Sequence, residues 1–272
     1  MRRTTYRKWL YAFGLILAIL AIPAFASCND YDFDFNAGPS FIPPARIQVR
    51  AHHTGRLTIE FANRVERIKL SESAVEQFCT RMQQVIAMDQ ASGDRIGLDG
   101  VVVSGQWKLD GAPSYAFKFW SPDKKNQPRD FALADAVFAL LETTVPSCEL
   151  NAYLEALAIY FDFGVPARVI RGRPLTVRLY GVLSINYADG LAALFASLPA
   201  NVPLDVDMTN VNGMGTALYP KFQTLLSRNP PVKWITYPGM SRQLQELGVK
   251  SNQMEVPKSL YCVPPHTQFS RQ

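Results

Sequence analysis

The feature that most constrains the fold of this 272-residue chain is a repeated alternation of strand-like and helix-like segments between residues 165 and 262. Apolar runs at Leu175–Tyr180, Pro203–Met208 and Val232–Tyr237 are each followed by a segment whose apolar residues recur at helical spacing. The last of these segments ends at Gly248, a residue type that commonly terminates helices. A strand followed by a helix, three times in succession, predicts an α/β unit.

Three stretches of this unit follow one another in a characteristic order. Leu175–Leu183 is typical of a first strand with a glycine turn, and Leu204–Met208 is typical of a central strand. The sequence Asn-Val-Asn-Gly-Met-Gly-Thr at residues 210–216 then precedes a helix. Together these stretches resemble a STAS domain, the module named for sulphate transporters and anti-sigma-factor antagonists, over about residues 174–250. In that family, the place of residues 210–216 is taken by a signature loop, Asp-Ser-Ser-Gly-Leu-Gly.

The resemblance implies a loop-to-helix surface that docks another protein. In the signalling members of the family, a Ser immediately before the first Gly of the loop is phosphorylated, and here that position holds Asn212. Asn has no hydroxyl group, so phosphorylation at this position is excluded. Gly213 and Gly215 are not followed by the Lys of a P-loop, which argues against nucleotide binding. The candidate binding loop comprises Asn210, Asn212, Gly213, Met214, Gly215 and Thr216.

Residues 45–160 predict a separate α+β domain. A Ser-Ala-Val-Glu sequence at residues 73–76 fits a capping box, and apolar residues at helical spacing follow it. Asp110-Gly111 predicts a hairpin turn between two strand-like runs. The predicted strands are Arg46–Ala51, Leu57–Ala62, Val65–Leu70, Val101–Leu109 and Tyr115–Trp120, and two more helices are predicted at about residues 134–141 and 150–161.

We interpret residues 29–44 as a solvated linker that holds the folded part away from a membrane. Asp30, Asp32 and Asp34 alternate with aromatic residues in this segment, and glycine and prolines follow them. Binding of a partner or a cation by the three carboxylates is the alternative interpretation.

Residues 1–28 have the pattern of a targeting segment, in which basic residues precede an uncharged apolar run, Trp9–Ile22. Ala24 and Ala26 fit cleavage by signal peptidase after Ala26. The Phe-Ala-Ser-Cys sequence that ends at Cys28 resembles a bacterial lipobox, in which the Cys is lipidated. Extended to residue 27, the run is also long enough to stay uncleaved as a transmembrane anchor. We adopt lipidation of Cys28, because this residue lies where the apolar run ends, and we keep the uncleaved helix as the alternative.

The net charge of +5 depends on this targeting segment. Without the segment's four basic residues, 24 basic residues face 23 acidic ones, and the folded part is almost neutral. No run of five or six basic residues remains, so nucleic acid is not a predicted partner. The predicted location is the periplasm, with an envelope protein as partner and the membrane contacted through the N-terminus. The four basic residues are Arg2, Arg3, Arg7 and Lys8.

The four cysteines are too widely spaced for a zinc or thioredoxin-type motif. Disulfides persist in the oxidising compartment that an exported chain enters. If Cys28 is lipidated, at most one disulfide can form among Cys79, Cys148 and Cys262; otherwise two can form. We predict a bond between Cys79 and Cys148, and buried free thiols are the alternative.

Other candidate groups do not assemble a recognisable catalytic or metal site. His52 and His53 are neighbours on a predicted strand, so they point to opposite faces and cannot chelate one ion. Asp205 and Asp207 share a strand face, and we interpret them as part of a polar sheet face or of an inter-domain contact rather than as an acid–base pair. Trp107 is a candidate binding anchor if its side chain faces outward, as is Trp120.

These observations predict an exported, membrane-tethered protein-interaction module of the bacterial envelope, with no catalytic residues, metal or cofactor. An immunity-type protein that neutralises a toxin in the periplasm is one version of this function. Two alternatives remain open. One is an enzyme with a site around the Asp205–Asp207 pair or His52, and the other binds a small ligand or lipid between the two units.

Overall fold

A computed structural model describes residue 28 and the ranges 30–52, 54–89, 97–144, 147–161, 163–170 and 172–257. The fold is mixed α/β, with two β-sheets and six α-helices in these described ranges. Most of the targeting segment, His53 and Cys262 lie outside them, as does the side chain of Cys148. A search of the described helices finds none with the length and apolar character needed to cross a membrane.

The first sheet has six antiparallel strands in the order β4-β3-β2-β1-β5-β6, so the earliest strand lies inside the sheet. Consecutive strands along the chain pair with one another except β4 and β5; strand β5 pairs instead with β1, which lies between β2 and β5. The strands are β1 Asp30–Pro39, β2 Ala45–His52, β3 Thr54–Phe61, β4 Arg64–Lys69, β5 Val101–Leu109 and β6 Tyr115–Trp120.

Strand β1 shows that the linker interpretation of residues 29–44 is wrong from Asp30 to Pro39. Tyr31, Phe33 and Phe35 are buried in the core, whereas the intervening aspartates point to the opposite face of the sheet. The alternation of acidic and aromatic residues is therefore the period-two pattern of a strand with one buried face.

Three helices cover the buried face of this sheet: α1 Glu72–Ile86, α2 Pro128–Thr144 and α3 Cys148–Ala158. Phe78 and Met82 of α1 are buried at helical spacing, as predicted. The helix begins before the predicted capping box at residues 73–76, because the Ser71 hydroxyl accepts the N-terminal hydrogen bond from the Ala74 amide at 3.2 Å.

A disulfide joins Cys28 to Cys79 of α1, with 5.8 Å between the Cα atoms. The predicted bond between Cys79 and Cys148 is therefore wrong. Cys28 is a disulfide partner in this structure, and a sulfur atom in a disulfide cannot also carry a thioether-linked lipid. The bond fastens the chain just before β1 to the helix that covers it.

The second sheet has the order β11-β10-β9-β8-β7, in which β8 to β11 are parallel and β7 is an antiparallel edge strand. Helices α4 Ala188–Ser197, α5 Tyr219–Leu226 and α6 Pro238–Leu247 connect successive parallel strands and pack on one face. Helix α6 ends at Gly248, as predicted, in a left-handed conformation. The strands are β7 Ala167–Ile170, β8 Leu175–Leu183, β9 Leu204–Met214, β10 Lys233–Ile235 and β11 Met254–Glu255.

We expect Cys28→Ala with Cys79→Ala to lower the free energy of unfolding by roughly 2–4 kcal/mol, because the bond closes a loop over a sequence separation of 51 residues. Urea denaturation measures the loss. The single variant Cys28→Ala is the matched control and should lose as much as the double variant, since either change breaks the bond. Peptide mass spectrometry without reduction should recover a Cys28–Cys79 peptide pair, and recovery of a lipid on Cys28 would contradict this assignment.

Candidate functional site

The predicted binding loop at residues 210–216 is mostly strand. Asn210, Asn212, Gly213 and Met214 belong to β9, so the loop interpretation is wrong for these four residues. Pairing with β8 continues to the end of the strand, where Leu183 faces Met214 across a register shift. Gly215 follows the strand, and Thr216 begins a short 3-10 turn before α5.

The strand continues because its polar residues find partners that are distant in the sequence. Asn210 is buried, and its side-chain amide donates to Oε2 of Glu155 on α3 at 2.6 Å. A local pattern of Asn and Gly is typical of a loop. The contact that keeps Asn210 in a strand comes from a helix that covers the other sheet. No local sequence pattern indicates this contact.

The two predicted aromatic anchors do not offer a docking surface. Trp107 is 5% exposed in the core of the first unit, and Met214 is likewise 5% exposed in the second. The ring of Trp120 is half-buried and lies against Gly97 and Gly100, where an added Cβ atom would come within 2.3 Å of it. A protein-binding surface has to be sought elsewhere.

Asp207 takes part in the contact between the two units only indirectly, through Arg178 of its own sheet. Arg178 of β8 donates from Nη1 to Oδ2 of Asp207 at 2.5 Å and from Nε to Oε1 of Glu155 at 2.6 Å. Because Glu155 belongs to α3, these bonds join the second sheet to the first unit. Arg168 of β7 adds a longer ion pair to Glu155, at 3.7 Å.

This contact is buried, and its chemistry is structural. The side chain of Glu155 is 1% exposed and that of Arg178 is 9% exposed. Burial alone would lower the pKa of Arg178, but Glu155 and Asp207 outweigh it and raise that pKa, so the guanidinium stays charged. Asp207 is further held by accepting bonds from the amide and hydroxyl of Thr209. A permanently charged, paired arrangement of this kind orients two units and does not exchange protons.

A polar surface lies on the face of the first sheet opposite its helices, which we call the open face. Its side chains form rows across the strands, and one row contains Lys108, Asp32, Arg50, Arg56 and Lys69 on five successive strands. Cations outnumber carboxylates on this face. The cations are Arg46, Arg50, Arg56, Arg67, Lys69, Lys108 and Lys118, and the carboxylates are Asp30, Asp32, Asp34 and Glu60.

The three aspartates of β1 are neutralised by β2. Asp34, 8% exposed, accepts bonds from Gln48 at 2.6 Å and from Nη2 of Arg50 at 3.1 Å. Burial alone would raise the pKa of Asp34, but Gln48 and Arg50 outweigh it and lower that pKa. Arg50 also reaches Asp32 at 3.1 Å. These carboxylates are therefore tied up within the sheet.

Three cations on β3 and β4 have no such compensation, and we call them the basic corner: Arg56, Arg67 and Lys69. Arg56 and Lys69 are direct cross-strand partners, and Arg67 lies on the same face of β4. All three are exposed, and no ion pair joins them to any residue in the described ranges. Like charges placed opposite each other destabilise a sheet. The basic corner therefore costs stability while it presents three free cations to solvent.

A depression of about 890 Å³ lies beside the basic corner on the open face. Arg46, Glu60 and Arg64 contribute its charged lining. Val65 and Val102, which are 48% and 46% exposed, contribute apolar contacts. Val65 is two residues from Arg67 on the same face of β4, so the depression and the basic corner form one continuous surface.

His52 ends β2 at the border of the open face. Its Nδ1 contacts Oδ1 of Asp30, and its Nε2 lies 3.0 Å from Oδ1 of Asp32. Burial would slightly lower the pKa of His52, but the two carboxylates outweigh it and raise that pKa. No cluster of three or more potential metal-ligating side chains occurs in the part of the chain that the structure covers.

Comparison of the sequence with protein-family models and with curated proteins finds no match.

We expect Glu155→Gln to lower the free energy of unfolding by about 3 kcal/mol or more, because it removes the charge of a buried partner of Arg178. Glu149→Gln on the same helix is the control, since the Glu149–Arg64 pair is half-exposed and is expected to contribute about 0–1 kcal/mol. Chemical denaturation measures both, and a double-mutant cycle with Arg178→Met isolates the coupling. Equal, small losses in the two single variants would show that the inter-unit contact is not a structural linkage.

We expect the stabilisation by His52 to decrease as the pH rises. A raised folded-state pKa means that the contribution is complete below the unfolded-state pKa of about 6.5 and is lost as the pH rises through the folded-state value. The loss in His52→Gln should therefore be larger at about pH 5 than at about pH 9 in urea denaturation. Lys108→Gln, which removes a cation opposite Asp32 and leaves His52 in place, is the control and should show no such change. A pH-independent effect of His52→Gln would contradict the assignment.

Proposed function

We propose that this chain is an exported, non-catalytic interaction protein of the bacterial envelope, which binds an acidic protein partner through its open face. The observation that carries the proposal is the basic corner. Arg56 and Lys69 stand opposite each other without a counter-ion in the described structure, an arrangement that is unfavourable until a partner supplies carboxylates.

Export is supported by two features of different kinds. The N-terminal sequence places basic residues before an apolar run, as in secretory signals. The Cys28–Cys79 disulfide is a bond that persists in oxidising compartments such as the periplasm. Since this bond uses the sulfur of Cys28, the membrane tether that fits best is the uncleaved apolar run, Trp9–Ile22 extended to residue 27.

The surface properties of the open face define the chemistry of the partner. Free guanidinium groups of Arg56 and Arg67 suit carboxylates, which they bind in a bidentate manner. The adjoining depression contributes exposed apolar area at Val65 and Val102, which suits a few apolar side chains flanked by acidic ones. A toxin with such a surface, neutralised in the periplasm, is one version of this function.

We also propose that the second unit is STAS-like. Support comes from its order of elements, β8-α4-β9-α5-β10-α6, with the parallel strands adjacent in space. The docking surface implied by the resemblance is reduced here, because Asn210 and Met214 are buried while Asn212, Gly215 and Thr216 are exposed. We therefore place the principal contact on the open face of the other sheet.

The proposal is tested by affinity capture from envelope extracts with three forms of the chain. The open-face variant combines Arg56→Glu, Arg67→Glu and Lys69→Glu. The control variant combines Lys124→Glu, Lys125→Glu and Lys250→Glu, which change the net charge equally at exposed positions away from the open face. The wild type and the control variant should retain the same single protein, and added salt should weaken its retention. The open-face variant should retain at least about tenfold less of that protein.

Thermal melting should show that both variants remain folded, because all six positions are exposed. Equal retention by the open-face variant would overturn the proposal. The proposal would also be overturned if the wild type and the control variant captured no protein in common.

A further inference from the structure

We infer that the junction of the two units is a binding site for a small, neutral, mainly apolar molecule. A separate cavity of about 270 Å³ lies there, remote from the open face. It is formed by the end of α3, the connection that follows it, and the carboxyl ends of β8 and β9. The carboxyl edge of parallel strands is the usual place for ligands in open α/β sheets.

The walls of the cavity are mainly apolar and come from both units. Phe161 belongs to the first core, and Val165 packs against the second. Ile159 and Val182 line the cavity while remaining 52% and 62% exposed, so they form its rim. Exposed apolar side chains grouped around a concave site are characteristic of ligand-binding surfaces.

The position of the rim depends on Gly181. This residue has φ of 68°, a conformation that other residues rarely adopt, and an added Cβ atom would lie 2.8 Å from Cδ1 of Ile159. The register shift between Gly181 and Val182 accompanies this turn. The positive φ therefore favours glycine at this position, and the missing side chain lets Ile159 pack closely over the strand.

The polar groups of the lining are all uncharged. They are the hydroxyl groups of Tyr180, Tyr187 and Ser184 and the side-chain amide of Asn212. Burial, followed by the charges of Glu155 and Glu142, raises the pKa of Tyr180, so its phenol stays protonated. A charged ligand would find no counter-ion among the lining residues, and an apolar ligand with one or two hydrogen-bonding groups would be matched.

The size of the cavity limits the ligand further. Its volume lies just below the range of roughly 300–1,000 Å³ typical of small-molecule sites. This excludes a folded peptide segment or a complete phospholipid and admits a molecule of two or three linked rings. The connection from α3 to β7 forms one wall, so a bound ligand would contact both units at once.

The test uses a matched pair of fluorescent probes with the purified chain. N-phenylnaphthylamine is neutral and apolar, and anilinonaphthalene sulfonate has the same ring system with an added anionic group. We expect the neutral probe to bind with one-to-one stoichiometry and at least about tenfold more tightly than the sulfonated probe.

Two tryptophan variants locate the site. Val182→Trp fills the mouth of the cavity at an exposed position. It should lower the affinity for the neutral probe at least about tenfold, while the protein keeps its thermal unfolding transition. Val169→Trp is the control, because Val169 is a 46% exposed valine of β7 outside the lining. It should leave the affinity for the neutral probe within about twofold of the wild-type value. Unchanged binding in Val182→Trp, equal affinity for both probes, or no binding of the neutral probe would each overturn the inference.

Discussion

The bond from Arg178 to Glu155 determines how the two sheets are placed. The guanidinium is held between a carboxylate of its own sheet and one from a helix that covers the other sheet. Charges removed from water are tolerated only when each finds a partner with good geometry, so this arrangement permits few relative positions of the units. Asn210 depends on the same carboxylate, and so does the continuation of β9 to the edge of the cavity.

Strand β1 has the corresponding role within the first unit. Its aromatic residues supply the centre of the core, and its aspartates hold the cations of β2 against the sheet. Charge compensation ends at β2. Strands β3 and β4 add Arg56, Arg67 and Lys69, and the carboxylate that β3 adds, Glu60, forms no ion pair with them in the described structure. The uneven distribution of charge on an otherwise regular sheet is what distinguishes the proposed contact surface from a merely solvated face.

Much of the fold follows from local patterns in the sequence, and the errors share one physical origin. Helix α6, its terminal Gly248 and the apolar faces of β8 and β9 are readable because their spacing alone determines which side is buried. Strand β1 and the end of β9 cannot be predicted in this way. Aspartates and asparagines are poor strand residues unless partners remote in sequence form hydrogen bonds with their side chains. The same holds for the basic corner, which exists only once Arg56 and Lys69 are brought into register.

The disulfide of Cys28 has a consequence for the maturation of the chain. Oxidation with Cys79 uses the one sulfur atom of Cys28 and leaves none for a thioether-linked lipid. The bond requires that α1 has already come close to the start of β1. It therefore forms only as the first unit folds, and it ties the segment that emerges earliest to a helix that is synthesised later.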